Sequence, residues 1–404
     1  MWLIMLAILQ ASWGNPDSRV VSGEPVQDGE WLDASGVLLN DNLLCSGVVI
    51  APDLVLTAGH CVSISSHTVS GTHAFEEKIG EQRTVADKWL YPDHLKTLDI
   101  LVLRLNEPVT VPPRSLVRTC IRDQYLVDGA AVSIVGFGAT DENGLEFPSR
   151  LYQAETTIID AQCTTPNRDC NEEVLPFGEL IAGGDGVDSC VRDSGGPLYL
   201  HTPHGAYLAG ITSRGIRPAD TNCGDGGIYV RADAVAEWIE EITGESLPTP
   251  DCAALGLNQR PVPKAEPITV AVGTGAFYRS SFEDCAACWM GQTAIHPHDP
   301  DENDGHKYTL HEAPKYGIVH IQPDGQVQYR TPHGLGGTDL FTVAVTDDGS
   351  PPLTTTLEIS VNLIEPGTPL PGTCAHLFPR KLWFPICVWS VWVLCAHRRR
   401  QVLC

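Results

Sequence analysis

Between about residues 20 and 243 the apolar positions come in short runs, at 46–50, 54–58, 99–105, 131–135, 207–212 and 227–230, separated by clusters of Gly, Pro, Asn and Asp. Short runs at that spacing predict many brief strands and therefore an all-β barrel or sandwich. One helix closes the region. Val235, Trp238, Ile239 and Ile242 recur at helical spacing, Asp233 is placed to cap the helix, and Gly244 sits where it would stop. Residues 246–265 hold Pro248, Pro250, Pro261 and Pro263 and read as a linker. Strand-like runs resume at 268–272, 317–322, 326–330, 340–345 and 357–363, and Pro323-Asp324-Gly325 marks a hairpin turn. A second, smaller β module is expected over 266–365.

Both ends carry a different pattern. Residues 2–9 are an unbroken apolar run followed by the small residues Ala11-Ser12-Trp13-Gly14, which reads as a signal peptide over 1–14 without the usual basic start; a buried first strand is the alternative. Residues 382–396 are apolar with Trp383, Trp389 and Trp392, preceded by Arg380-Lys381 and followed by Arg398-Arg399-Arg400. The run is shorter than a bilayer span and Pro385 interrupts it, so 366–404 is expected to be a tail in transient association with a membrane.

Composition narrows the class. At 404 residues the chain is long for one core, so two domains plus appendages are expected. Lys and Arg number 26 against 50 Asp and Glu, a net charge of −24 that repels phosphate backbones and excludes nucleic acid as a partner. Fourteen cysteines suit an exported chain whose thiols are oxidised. Cys285 and Cys288 form a CxxC with no second pair at zinc spacing, and a local disulfide is the simpler reading.

Three local motifs carry the chemistry in fixed order: Thr57-Ala58-Gly59-His60-Cys61, then Leu98-Asp99-Ile100, then Cys190-Val191-Arg192-Asp193-Ser194-Gly195-Gly196-Pro197. A serine hydroxyl is a weak nucleophile at neutral pH and needs a base, which an imidazole supplies when an acid fixes its tautomer. Over residues 20–243 these motifs resemble the trypsin-like serine proteases, whose triad follows the order His, Asp, Ser.

The resemblance implies a mainly β fold, a double six-stranded β-barrel with a C-terminal helix, followed by a small β-sandwich. It implies His60, Asp99 and Ser194 as the catalytic triad, with Ser213 bonding the aspartate, and the backbone N–H groups of Arg192 and Ser194 as the oxyanion hole. Arg192 stands where relatives carry glycine, so a side chain there either strains the backbone or flips the peptide. Asp188 matches the floor of the primary pocket and would pair with a substrate Arg or Lys, with Gly215 and Gly227 keeping the slot open. Arg214 replaces the usual tryptophan of the next subsite, exchanging an apolar platform for a cation.

Cleavage after Arg19 would free the Val20 amine to pair with Asp193, making 15–19 a propeptide and 20–245 the protease domain. The implied disulfides are Cys45–Cys61, Cys163–Cys170 and Cys190–Cys223; apart from the resemblance, Cys120 is read as a partner for Cys252 beyond the terminal helix. Trypsin's calcium loop is poorly matched, because Thr72 takes the place of its first acid, and Glu76, Glu77 and Glu81 read as a solvated acidic loop. The second module resembles cadherin-like or immunoglobulin-like repeats of bacterial surface proteins. Its Asp299, Asp301, Asp304 and Asp347 offer oxygens that suit calcium but read first as turn acids.

No metal or other cofactor is required. The whole resembles secreted proteases of gram-negative bacteria, and the expectation is an exported or cell-surface zymogen acting on protein or peptide substrates. A catalytically silent binding or adhesion protein on the same scaffold is the competing class.

Overall fold

A computed structural model describes residues 21–75, 79–166, 168–272, 288–301, 304–331 and 336–365. The expected signal peptide, Arg19 and Val20, the acids Glu76 and Glu77, Cys285 and the 366–404 tail lie outside the described residues. The chain divides into two compact units, one taking in the chain to Arg260 with Gly349–Leu353, the other Pro261–Asp348 and the chain from Thr354.

In the first unit thirteen strands run in order. They are β1 (Glu24–Pro25), β2 (Ala34–Leu39), β3 (Asn42–Ala51), β4 (Leu54–Thr57), β5 (His67–Ser70), β6 (Glu81–Leu90), β7 (Leu101–Leu105), β8 (Ala131–Gly136), β9 (Tyr152–Asp160), β10 (Glu179–Ala182), β11 (Pro197–Thr202), β12 (Gly205–Gly215) and β13 (Gly227–Arg231). Strands β2-β3-β4-β7-β6-β5 close into one barrel. A second barrel runs β9-β10-β13-β12-β11-β8 and closes through β8–β9, with β1 on the outer side of β9. The double six-stranded barrel expected from the motifs is therefore present.

The unbroken apolar runs in the sequence are split by parity. In β3, β4 and β7 the odd residues Val49, Val55, Leu101 and Leu103 pack in a cluster confined to the first barrel. The even residues Val48, Leu54, Leu56, Ile100 and Val102 join Val135, Phe137, Tyr199, Ile211 and Val230 of the second barrel in one shared core. Successive side chains leave a strand on opposite faces, so a strand buried on both faces shows no polar alternation. Each such Leu or Val contributes about 1.5–3 kcal/mol on burial.

Three helices complete this unit, α1 (Thr119–Tyr125), α2 (Ala232–Thr243) and α3 (Cys252–Leu255). Helix α2 lays Val235, Ala236 and Ile239 on the shared core and ends at Gly244, whose φ of 73° only glycine adopts freely. The capping role expected of Asp233 is not realised. Arg231 is the N-cap residue without a side-chain cap, and Asp233 lies in the first turn, its two carboxylate oxygens taken by Arg231 Nε and Nη2 at 3.0 and 2.8 Å. The proline-rich stretch read as linker is partly fastened down: Leu247 is buried, and Cys252 on α3 is bonded to Cys120 on α1.

The second unit holds β14 (Val262–Lys264), β15 (Ile268–Ala271), β16 (Trp289–Ala294), β17 (His296–His298), β18 (His306–Glu312), β19 (Ile318–Ile321), β20 (Gln326–Thr331), β21 (Gly337–Asp347) and β22 (Thr354–Ile364). A four-stranded sheet β15-β22-β21-β18 and a three-stranded sheet β16-β20-β19 share a core of Ile268, Val270, Val327, Tyr329, Phe341 and Val361. The hairpin turn is where the sequence put it, with Gly325 at φ 83° between β19 and β20. Strand β14 falls inside the expected linker, and strands β16, β17 and β18 have no counterpart among the sequence expectations. Their residues are mostly exposed or half-buried, so no apolar period marks them.

Candidate active site

The first barrel supplies a base and an acid. His60 lies in a 3-10 turn, Gly59–Ile64, directly after β4, and Asp99 lies just before β7. Pairing of β4 with β7 brings these two segments together. His60 Nδ1 lies 2.7 Å from Asp99 Oδ2, and the His60 backbone N–H donates to Oδ1 at 2.9 Å. Ser213, on β12 of the second barrel, donates its hydroxyl to Oδ2 at 2.8 Å. Burial pushes the Asp99 carboxyl up, but the His60 and Ser213 hydrogen bonds and the imidazole charge outweigh that and hold it below the usual range. The acid is thus held in its ionised form beside the imidazole.

Ser194 precedes β11 in the second barrel. Its carbonyl accepts from Ser46 N–H of β3 at 2.9 Å, which ties the serine loop to the first barrel close to Cys61. Among the described residues no hydrogen bond joins Ser194 Oγ to the imidazole. Such contacts are often long in free enzymes and tighten when substrate binds.

Arg192 has φ 77°, so the side chain strains the backbone, a cost of about 1–2 kcal/mol. The peptide is held in place. Val191 O accepts from Ala139 N–H at 2.7 Å, Arg192 O accepts from Ser46 Oγ at 3.1 Å, and the guanidinium stacks 3.7 Å from the Phe147 ring. Among the described residues the N–H groups of Arg192 and Ser194 have no acceptor.

Asp188 is 3% exposed. Its Oδ2 accepts from Gly224 and Gly226 N–H at 3.0 and 3.2 Å. Burial pushes this carboxyl up to about 6, against the pull of those bonds. A side chain at Gly227 would press on Asp188 at 3.2 Å, whereas a Cβ at Gly215 would meet nothing within 4 Å. Gly227 thus keeps clear of the acid, and Gly215 faces open space.

Asp193 is fully buried, with Cys190 N–H and Gly138 N–H as donors at 2.9 and 2.8 Å. Burial pushes it up to about 7, and the charge of Asp188 adds to the rise. A Cβ at Gly136 or Gly138 would collide with its carboxylate, two roles the motif alone did not reveal. Val21 is buried beside Ala139, Cys190 and Cys223 and bridges to Asp188, so the chain just after the expected cut lies beside Asp188.

Arg214, expected to present a cation to the next subsite, instead spends its charge on Glu179, a fully buried residue that the sequence reading passed over. The signal was an acid opening the otherwise apolar run of β10. All four disulfides expected within this unit form: Cys45–Cys61, Cys120–Cys252, Cys163–Cys170 and Cys190–Cys223. Cys288 is also disulfide-bonded. Glu81 is occupied by Thr110 and Arg83 rather than left facing solvent, and Thr72 is buried. In the second unit Asp299, Asp301 and Asp304 bring oxygens within 4.8 Å of one another, and His306 takes one oxygen of Asp299 at 2.8 Å.

Two closed barrels, one carrying a His–Asp couple bonded to Ser213 of the other, with Ser194 tied by its carbonyl to β3, are the arrangement of the double-barrel serine hydrolases. The chain belongs to the trypsin family of serine endopeptidases, whose family model matches residues 20–239. It is 28% identical over 245 residues to transmembrane protease serine 11G of Mus musculus, covering 56% of each chain. It is 28% identical over 253 residues to the venom plasminogen activator Haly-PA of Gloydius brevicauda, covering 59% of this chain and 93% of the other. Of the mouse relative's length it thus spans little over half. Among solved structures, neuropsin of mouse brain aligns with 55% of this chain and 98% of its own at 24% identity and a TM-score of 0.46.

Proposed function

We propose that the chain is the precursor of an exported serine endopeptidase that cuts protein or peptide substrates after Arg or Lys. Asp188 is the observation that carries the specificity. Its carboxylate is buried, held by two N–H donors, and its ionisation is disfavoured until a cation arrives; in this reading it forms the floor of the primary pocket. A guanidinium or ammonium entering the slot supplies that cation in a water-poor setting, where charge-assisted bonds are strong.

Catalysis then follows the family's steps. Ser194 Oγ attacks the carbonyl carbon while His60 takes its proton, and the tetrahedral oxyanion is held by the Arg192 and Ser194 N–H groups. His60 returns the proton to the departing amine, leaving an acyl-enzyme. Water, deprotonated by the same imidazole, releases the acid and restores Ser194. Asp99 keeps the imidazole in the tautomer that accepts from Ser194 and stabilises its cationic form.

In this reading residues 1–14 direct export, 15–19 are removed, and the Val20 amine pairs with Asp193. The disulfides fit an oxidising compartment. The 266–365 unit acts as a cadherin-like or immunoglobulin-like spacer or adhesive domain, and the 366–404 tail makes transient contact with a membrane. The test is cleavage of a peptide library by the matured chain beside Ser194→Ala. Cuts confined to bonds after Arg and Lys, absent in the variant, are expected; failure to label Ser194 with a fluorophosphonate after maturation favours the silent binding scaffold.

A further inference from the structure

Next to the His60–Asp99 couple lies a cleft of about 410 Å³ lined by His94, Thr97, Asp169, Asn171, Glu172 and Arg214. Arg214 forms part of its wall. Both terminal nitrogens of its guanidinium are committed. Nη1 donates to Glu179 Oε1 at 2.7 Å and Ser213 Oγ at 3.3 Å, and Nη2 donates to Glu179 Oε2 at 3.0 Å and the Asp169 carbonyl at 2.8 Å. Glu179 is fully buried, and its Oε2 also accepts from the Asn171 backbone N–H at 2.8 Å. Asn171 in turn donates Nδ2 to the Thr97 carbonyl at 2.6 Å across the cleft.

Two consequences follow from this wiring. The four terminal N–H groups of Arg214 are already used, so no fork remains for a substrate carboxylate. The bidentate partner cancels the charge, so the cleft presents a flat guanidinium face rather than a cationic one. A lone Arg at this position would instead attract acidic residues and, 3.3 Å from the hydroxyl that bonds Asp99, would disturb the field at the imidazole.

We infer that Glu179 is a positioning residue that acts through Arg214, holding it as a planar, charge-neutral wall so that the subsite beyond the primary pocket does not select acidic residues. The inference rests on the endopeptidase reading above. The groups facing the His60–Asp99 couple in this cleft are His94, Asp169, Glu172 and Arg214, with Glu179 behind Arg214. Asp169 and Glu172 add a mild bias against acids that is common to every variant compared below.

The experiment uses matured full-length chain and peptides with Arg before the cleaved bond and Glu or Gln at each of the three preceding positions. Cleavage is measured with active chain, and binding with the Ser194→Ala form. Wild type is expected to show no preference for Glu over Gln at any position. Glu179→Gln, which keeps the shape and removes the charge, should gain about a tenfold preference for Glu at one position, reduced by added salt. Glu179→Asp, which keeps the charge but alters the packing, should not gain it, and Glu179→Gln with Arg214→Gln should lose it. A wild-type preference for Glu, or an equal gain in Glu179→Gln and Glu179→Asp, overturns the inference. The wild-type measurement decides even if Glu179→Gln does not fold. Peptides that bind the Ser194→Ala form with the predicted pattern but are never cleaved would count against the endopeptidase reading alone.

Discussion

Cutting the chain after Arg19 should reverse part of its stability profile between about pH 4 and 7. The Asp193 carboxylate is fully buried, its donors among the described residues are two neutral N–H groups, and its pKa is pushed from 3.8 up to about 7. About three pKa units correspond to ~4 kcal/mol by which the charged form is disfavoured. The folded-state value lies above the unfolded one, so this contribution to stability is intact below pH 3.8 and is lost as pH rises through 7. Asp188, pushed up to about 6, acts with the same sign over a narrower window. In the cut chain the Val20 amine gives Asp193 a cation, its pKa falls, and its share of the loss disappears while that of Asp188 stays. Denaturant unfolding of the matured chain and of uncut Arg19→Gln, each at pH 4.5 and 7.5, reads the difference, since within the folded unit the two forms differ only by the new Val20 amine and its pairing with Asp193. A gap of a few kcal/mol in favour of the cut chain at the higher pH is expected. Identical pH dependence in the two forms would show that the amine does not reach Asp193, and the activation scheme would fall.

Other substitutions test other parts of the site. Asp99→Asn should leave the fold intact and lower kcat by about 10⁴-fold, because the imidazole then takes the wrong tautomer; steady-state kinetics read this directly. Asp188→Asn should cost Arg substrates at least about 3 kcal/mol, over a hundredfold in kcat/KM, by leaving the substrate cation buried without a partner. In the wild type, kcat/KM for such substrates should fall on the acid side of about pH 6 as free Asp188 takes up its proton. Gly138→Ala should abolish fluorophosphonate labelling in matured chain, since its Cβ collides with the Asp193 carboxylate. Replacing both Cys120 and Cys252 by Ser opens a bridge between residues 132 apart and should cost roughly 4 kcal/mol, seen as a Tm drop of about 10 °C for the first unit.

The motifs around His60, Asp99 and Ser194, the acid at 188 and the cysteines of the three implied bridges were readable in one dimension, because each is a local signature fixed by chemistry that tolerates few residue types. The barrels were readable as a class, since short apolar runs between turn residues admit little else. The partition of Val48 and Val49, or Leu56 and Val55, between a shared core and the first barrel's own core was not, because a strand buried on both faces erases its own period. Strands β16 to β18 were invisible for the opposite reason: their mostly exposed residues give no apolar signal.

What the sequence alone determined was the family, through the set of candidate reacting groups and their order along the chain. Whether Arg192 strained or flipped its peptide was decided by Ala139 and Ser46, which are distant in sequence and hold the flanking carbonyls. Whether Arg214 was a cation or a neutral wall was decided by Glu179, thirty-five residues away, for which no spacing rule exists. Electrostatics depends on distance and burial, and both are set only when β10 and β12 are aligned on either side of β13 in the closed barrel.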